Sequence, residues 1–179
     1  MGKNHFVSLS LKQDFVLDVH AVCLELQDKI NECTNNQIKF LPMYKNDIHM
    51  TLCFLGQVLN DDRKTKTVIC NNNFEHFKKY FGGNILEFDE FSLFGTHQNL
   101  IVAKFKCVND RNFTNKMIEF KRMFCQIGAK EENYFTPHIT LGKINNFVPN
   151  QEKINTINKI LLEITKIMKS IVIDSCILV

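Results

Sequence analysis

Two short segments of the chain carry the same pattern of histidine, apolar residue, threonine and leucine. They are His49-Met50-Thr51-Leu52 and His138-Ile139-Thr140-Leu141. Two imidazoles with pKa values near ~6.5 can act as one base and one acid close to neutral pH. Two threonine hydroxyls can donate hydrogen bonds to phosphate oxygens. Such a set suffices to cleave a ribonucleotide phosphodiester, in which one histidine activates a ribose hydroxyl or a water and the other protonates the leaving oxygen.

Strand geometry explains why the residues alternate in type. In a β-strand, residues two apart face the same side of the sheet. His49 and Thr51 therefore share one face, and His138 and Thr140 share the corresponding face of the second segment. A single copy is typical of a half-exposed strand face. Two copies in matching surroundings predict that the two strands meet and place all four polar side chains in one cleft.

Two other kinds of chemistry are conceivable for these histidines. A metal site requires further His, Cys or carboxylate ligands at suitable spacing, but threonine stands at i+2 and no H-x-x-x-H occurs. We therefore expect no metal and no cofactor. Cys53 follows His49 by four residues and is conceivable as a nucleophile, but a buried small residue is the favoured interpretation.

The wider apolar pattern predicts which elements position the two motifs. Alternation and turn residues predict strands, and helical spacing with capping residues predicts helices. The strands are predicted at 5–11, 38–41, 48–54, 85–94, 100–108, 138–144 and 170–179, and the helices at 14–30, 60–80, 111–127 and 152–167. Hairpins together with crossovers predict the α+β class. The rough repetition of element order around the two motifs predicts one domain, residues 1–179, with two pseudo-symmetric lobes.

Composition limits the class of protein. The chain has 179 residues, of which 45% are hydrophobic, and a net charge of +3. These values are typical of a globular protein and do not favour an extended nucleic-acid surface. The seven cysteines are widely spaced without a C-x-x-C pair, which indicates reduced thiols. No secretion signal and no apolar run of membrane length occur, so we expect a cytoplasmic monomer that does not enter a membrane.

The residues around both motifs resemble a known family. The segments HFVSL at 5–9, HMTLCFLG at 49–56 and FTPHITL at 135–141 are similar to the opening strand and the two signatures of the 2H phosphoesterase superfamily, which includes the LigT-like enzymes. The resemblance covers nearly the whole chain. It implies a bilobal fold with two antiparallel-rich sheets flanking a central cleft and helices outside. It also implies metal-free catalysis by His49, Thr51, His138 and Thr140.

The resemblance further suggests the substrate. Members of the superfamily act on 2′,3′-cyclic phosphates, RNA 3′ ends, 2′-5′ oligoadenylates or 2′-5′-linked cyclic dinucleotides. The segments 4–8 and 134–138 resemble the branch with the central domain of A-kinase anchoring proteins and the viral 2′-5′ phosphodiesterases. This favours a phosphodiesterase that cleaves 2′-5′ links in oligoadenylates or in cyclic GMP-AMP, and by analogy a viral antagonist of innate immune nucleotide signalling. Two alternatives stay open: an enzyme that processes RNA 3′ ends or 2′,3′-cyclic phosphates, and a nucleotide-binding module without catalysis.

Several residues near the motifs are candidates for binding a small ribonucleotide. Stacking on an aromatic side chain contributes about 1–3 kcal/mol per base. Tyr134 and Phe135 precede the second motif and Tyr44 precedes the first, so we expect them to contact bases, although core packing is the alternative for Phe135. Lys143 follows the second motif and can meet a phosphate, with a solvated lysine as the alternative. DNA lacks the attacking ribose hydroxyl and is not an expected partner.

Overall fold

The computed structural model of the chain describes residues 4–57, 63–125, 129, 131–164 and 168–179. Within these ranges helices are interspersed among the strands, and a short 3₁₀ helix, Lys45–Asp47, precedes the third strand. The elements in chain order are β1 (Asn4–Leu9), α1 (Gln13–Cys33), β2 (Lys39–Pro42), β3 (Met50–Gln57), α2 (Arg63–Phe81), β4 (Ile85–Phe94), β5 (Leu100–Cys107), α3 (Phe113–Arg122), β6 (His138–Asn145), α4 (Gln151–Leu162), β7 (Ile171–Val172) and β8 (Cys176–Leu178).

The strands form two sheets, and each sheet carries one of the two motifs. The smaller sheet has the order β3-β1-β8, and the larger has the order β2-β6-β5-β4-β7. All pairings between the described strands are antiparallel. Strands β3 and β6 are in contact across the two sheets. The predicted α+β fold with two antiparallel sheets is confirmed, and the two motif strands adjoin.

Helices α1 and α4 cover the outer face of the larger sheet. Along α1 the buried residues recur at helical spacing, as Val19, Val22, Leu26 and Ile30. This apolar face packs on β2 and β6, and α1 also contacts α4. Side chains on the opposite face of the larger sheet therefore point toward the cleft.

Phenylalanine side chains from α2 and α3 form the core beneath the smaller sheet. Phe77 lies 4.9 Å from Phe81 and 5.1 Å from Phe120, measured between ring centroids, and Phe120 lies 5.1 Å from Phe124. Burying each such side chain stabilises the fold by about 1.5–3 kcal/mol. Because α2 contacts β8 and α3 contacts β3, this cluster covers the outer face of the smaller sheet.

The prediction of one final strand over 170–179 was wrong. The segment forms two short strands that belong to different sheets, since β7 pairs with β4 and β8 pairs with β1. Between them, the N–H of Ile173 donates to the carbonyl of Asn84, and the carbonyl of Ser175 accepts from the N–H of Ser10. Because the segment bends here, it forms hydrogen bonds with backbone groups at the edges of both sheets. One straight strand could pair with only one of the two sheets.

Two helices are shorter than predicted. The third was expected to reach residue 127 and ends at Arg122, and the fourth was expected to reach residue 167 and ends at Leu162. Both end in hydrogen bonds from residue i to residue i−3, which tighten the last turn and stop the α-helix. The predicted second-helix start at 60–62, Gly128 and residues 165–167 lie outside the described residues. Within the described part of the chain, no helix is long and apolar enough to cross a bilayer.

Candidate active site

The two motif histidines are held by the backbone in the same way. Nδ1 of His49 lies 2.6 Å from the carbonyl oxygen of Asp47, and Nδ1 of His138 lies 2.8 Å from that of Thr136. In both cases the carbonyl belongs to the residue two positions earlier. Because a carbonyl oxygen only accepts, Nδ1 carries the hydrogen in each neutral ring. Both rings are therefore left with Nε2 as the atom that can take or give a proton.

A phenylalanine packs on each histidine ring. Phe6 of β1 stacks on His49 with centroids 4.4 Å apart, and Phe94 of β4 lies 4.5 Å from His138. Each imidazole is thus fixed by one hydrogen bond and one aromatic contact. Sequence reasoning missed both roles, because nothing local distinguishes these two residues among the 16 phenylalanines of the chain.

The surroundings of His138 disfavour its protonated form. Burial lowers the pKa of His138 below its usual 6.5, and the charges of His49, Lys104 and Lys121 lower it further, although the hydrogen bond to the Thr136 carbonyl acts in the opposite direction. The contact between β3 and β6 brings the two motif strands together. The meeting of the four side chains and their catalytic role stay predictions.

A β-bulge lies at the last residue of the first motif. Thr51 pairs with Ser8, whereas Phe54 pairs with Phe6, so that Leu52 is an extra residue on β3. Paired residues point to the same face of a sheet, and Ser8 and Phe6 are two apart on one strand. Phe54 therefore lies on the same face as Thr51 although three positions separate them. Its side chain is 49% exposed, which makes it a cleft-side aromatic residue that sequence reasoning did not identify.

A bulge stands at the equivalent place in the second motif. Thr140 pairs with Val102 and Lys143 pairs with Leu100, so that Leu141 is the extra residue on β6. By the same reasoning, Lys143 shares the cleft face with Thr140. A regular strand would have placed Lys143 on the opposite face. The register thus supports the position that the sequence prediction gave to this lysine.

The aromatic candidates differ in exposure. Tyr44 is 78% exposed at the start of the 3₁₀ helix that precedes the first motif, and Tyr134 is 67% exposed ahead of the second. Phe135 is only 9% exposed and packs on Phe113, with ring centroids 6.2 Å apart. The burial of Phe135 favours core packing, the alternative given for it from the sequence. The two tyrosines are accessible to a ligand.

A buried lysine supports the segment that leads into the second motif. Lys121 of α3 is 6% exposed and pairs with Glu132. Its Nζ donates to the carbonyl of Tyr134 at 3.3 Å and lies 5.7 Å from the ring centroid of Phe135. The sequence gives a weak indication that this lysine is buried, because Lys121 stands four positions after Met117 and so lies on the apolar face of its helix.

Cys53 is directed away from the cleft. It is 2% exposed and pairs with the fully buried Val7, whereas Thr51 pairs with Ser8 on the opposite face. This placement supports its interpretation as a buried residue. Among the residues that the structure describes, no three His, Cys, Asp or Glu side chains are grouped as a metal site would require.

Comparison with known proteins finds similarity at the level of structure. No family model and no curated protein matches the sequence. TT0787 of Thermus thermophilus superimposes with a TM-score of 0.57 at 15% identity, covering 99% of this chain and 84% of that protein. Escherichia coli LigT, solved with phosphate, gives 0.50 at 15% identity over 79% of this chain and 70% of LigT. Kluyveromyces marxianus Usb1, solved with uridine monophosphate, gives 0.52 at 9% identity over 98% and 96%.

These superpositions establish the architecture. The chain has the 2H phosphoesterase fold, as the resemblance of its two motifs implies. At identities of 9–15% the likeness concerns the fold alone. Any statement about activity therefore depends on the geometry of the two histidines and two threonines.

Proposed function

We propose that the protein is a metal-independent phosphodiesterase that cleaves 2′-5′ links in oligoadenylates or in cyclic dinucleotides such as cyclic GMP-AMP. The observation that carries this proposal is the pair of imidazoles, each with Nδ1 on the carbonyl two residues earlier, so that Nε2 is the nitrogen that can exchange a proton. The structures of LigT with phosphate and of Usb1 with uridine monophosphate lend support, because both proteins share the fold.

His138 is the general base in this proposal. A base must be unprotonated at the working pH, and the pKa of His138 is lowered by its burial and by neighbouring positive charge. Lys104 pairs directly with His138 across β5 and β6, and Lys121 lies beneath the segment that precedes it. Nε2 of His138 takes the proton from the 3′-hydroxyl that stands beside a 2′-5′ link.

His49 is the general acid. The 3′-oxygen forms a bond to phosphorus while the bond from phosphorus to the 5′-oxygen of the next nucleoside breaks. Nε2 of protonated His49 gives its proton to that 5′-oxygen. The products are a 2′,3′-cyclic phosphate and a nucleoside with a free 5′-hydroxyl, so one proton is taken up and one is released.

The two threonines stabilise the phosphoryl group. Thr140 lies on the same face of β6 as His138, and Thr51 lies on β3, which begins directly after His49. Their hydroxyls donate to the non-bridging oxygens as charge moves onto them. Donors that are already in place when this charge develops typically contribute about 10²–10³-fold in rate, which is the amount lost when one is removed.

The choice of a 2′-5′ link depends on the resemblance of segments 4–8 and 134–138 to the 2′-5′ phosphodiesterase branch. In that setting the protein removes nucleotide second messengers in the cytoplasm, as a viral antagonist of innate immune signalling does. Plain DNA is not a substrate of this mechanism, because it has no ribose hydroxyl to attack.

The test is cleavage in the presence of EDTA by wild type and His138→Ala. The substrates are 2′-5′ triadenylate, 3′-5′ triadenylate, 2′-5′-containing cyclic GMP-AMP and adenosine 2′,3′-cyclic phosphate. Selective loss of a 2′-5′ substrate, abolished by the mutation, supports the proposal. Turnover of the cyclic monophosphate alone moves the function to RNA-end processing. Nucleotide binding without any product leaves a binding module and contradicts the proposal.

A further inference from the structure

A groove leads away from His49 along the smaller sheet. Its volume is about 540 Å³, and it begins at His49 and Phe6 and continues past Ser10 and Ile177. The segment between β2 and β3 forms its other wall, with Asn46 among the lining side chains. Such a volume suits one nucleoside.

The floor of the groove is continuous with the catalytic face. Ser8 pairs with Thr51 on one side and with Ile177 on the other. Because paired residues point to the same face, Thr51, Ser8 and Ile177 form one row across the sheet. A ligand that extends from the threonine hydroxyl along this row enters the groove without leaving the sheet surface.

The side chains that line the groove suit a nucleobase and do not suit a phosphate. Ile177 is 47% exposed and, with Leu11 and Met43, provides an apolar surface for a flat ring. The Asp47 carboxylate also lines the groove and repels an anion. Asn46 is exposed there, and its amide presents one donor group and one acceptor, the pair that matches the N6 and N7 edge of adenine.

We infer that this groove binds the leaving nucleoside of the substrate, with its base on Ile177 and the base edge at Asn46. The inference rests on the proposed function, in which His49 protonates the 5′-oxygen of that nucleoside. The groove that begins at His49 is then the place where the remainder of the leaving group lies. Adenine is the base that the Asn46 amide favours.

Kinetics on two dinucleotides test this inference. The substrates are 2′-5′-linked ApA and ApU, which share the attacking nucleoside and differ only in the leaving one. Ile177→Trp fills the groove and is expected to raise KM about tenfold for ApA, the effect of losing one stacked base. Asn46→Ala is expected to remove the preference for ApA over ApU in kcat/KM.

Matched substitutions control for nonspecific effects. Val148→Trp places the same side chain at a position that is 72% exposed in a loop, and Asn115→Ala removes an exposed amide from α3. Both are expected to behave as wild type. If Ile177→Trp and Val148→Trp have the same KM, and Asn46→Ala keeps the base preference, the inference is overturned.

A binding measurement separates this inference from the proposed function. Adenosine lacks a phosphate, and its binding is followed by NMR chemical shifts in wild type, Ile177→Trp and Val148→Trp. Binding that Ile177→Trp alone abolishes, in a protein that cleaves nothing, supports the groove and refutes the proposed function. Cleavage that is unaffected by Ile177→Trp, together with adenosine binding that is equal in all three proteins, refutes the groove alone.

Discussion

Lys104 on β5 is the direct register partner of His138 on β6, and its Nζ lies 2.7 Å from a carboxylate oxygen of Glu90. The ammonium and the imidazole therefore share the cleft face of the larger sheet. The surroundings of His138 alone disfavour its protonation.

Removing this charge is expected to change the pH dependence of the enzyme. In Lys104→Met the protonated form of His138 is less disfavoured, so its pKa rises toward 6.5. Less of the neutral base is then present at a given pH, and the acid limb of kcat/KM moves to higher pH. Lys106→Met removes a neighbouring lysine that pairs with Asp89 at 3.0 Å, and this control should leave the limb in place. Equal profiles for the two variants would show that Lys104 does not influence the base.

If the proposed mechanism holds, loss of either motif histidine is expected to abolish most of the activity. His49→Ala and His138→Ala should each lower kcat by about 10³-fold, within the range that general acid–base catalysis contributes. The double variant should be little slower than either single variant, because acid and base act as a unit. His97→Ala in an exposed turn is the control. Rate losses that multiply in the double variant would indicate that the two histidines act independently.

The threonine hydroxyls are expected to contribute less than the histidines. Thr51→Val and Thr140→Val keep the side-chain shape and remove one donor, which should lower kcat about 10²-fold with little effect on KM. Single-turnover rates measure this directly. Thr114→Val on the exposed side of α3 should have the wild-type rate. A change confined to KM would mean that the hydroxyls bind the substrate without stabilising the transition state.

Phe135 is expected to matter for stability. Truncation of this buried ring in Phe135→Ala removes its packing on Phe113 and should lower the free energy of unfolding by about 3 kcal/mol. Tyr134→Ala at the exposed neighbouring position should change it by about 0.5 kcal/mol. Urea unfolding measures both values. Similar stabilities for the two variants, with a raised KM in Phe135→Ala, would favour the stacking role instead.

Lys143 is expected to contribute to substrate affinity through its charge. Its place on the cleft face after the bulge allows contact with a phosphate, and an exposed charge pair contributes up to about 1 kcal/mol, or roughly fivefold in KM. Lys143→Ala should raise KM by this amount at low salt and less at high salt. Lys159→Ala on the exposed side of α4 serves as the control. A KM that does not depend on the Lys143 charge at any salt concentration would contradict the contact.

The sequence was sufficient to predict the fold class and the contact between the two motif strands. Both depend on patterns that recur along the chain, namely strand alternation and the repeated His-x-Thr. Sequence reasoning did not locate the bulges, although each leaves a trace. Leu52-Cys53 and Leu141-Gly142 are pairs of consecutive buried residues, which break the alternation of a regular strand.

Gly142 shows a further limit of sequence reasoning. A Cβ atom at this position would lie 2.3 Å from the ring of Phe40 and 2.4 Å from the carbonyl oxygen of Leu41. The glycine is therefore required by the close approach of β2, a strand about one hundred residues earlier in the chain. Contacts of this kind, like those of Phe6 and Phe94 with the histidines, depend on which strands become neighbours, and local patterns do not contain that information.

The division of the final segment into β7 and β8 has a mechanical consequence. Only residues 173–175 separate a strand of the larger sheet from a strand of the smaller one, and Ile173 is buried. So short a connection restrains how far the two sheets can separate, since three residues span at most about 10 Å when fully extended. Because β8 and β7 are the edge strands farthest from β3 and β6, the connection holds together the sheet edges opposite the motif strands and restricts relative motion of the sheets to rotation about that tether.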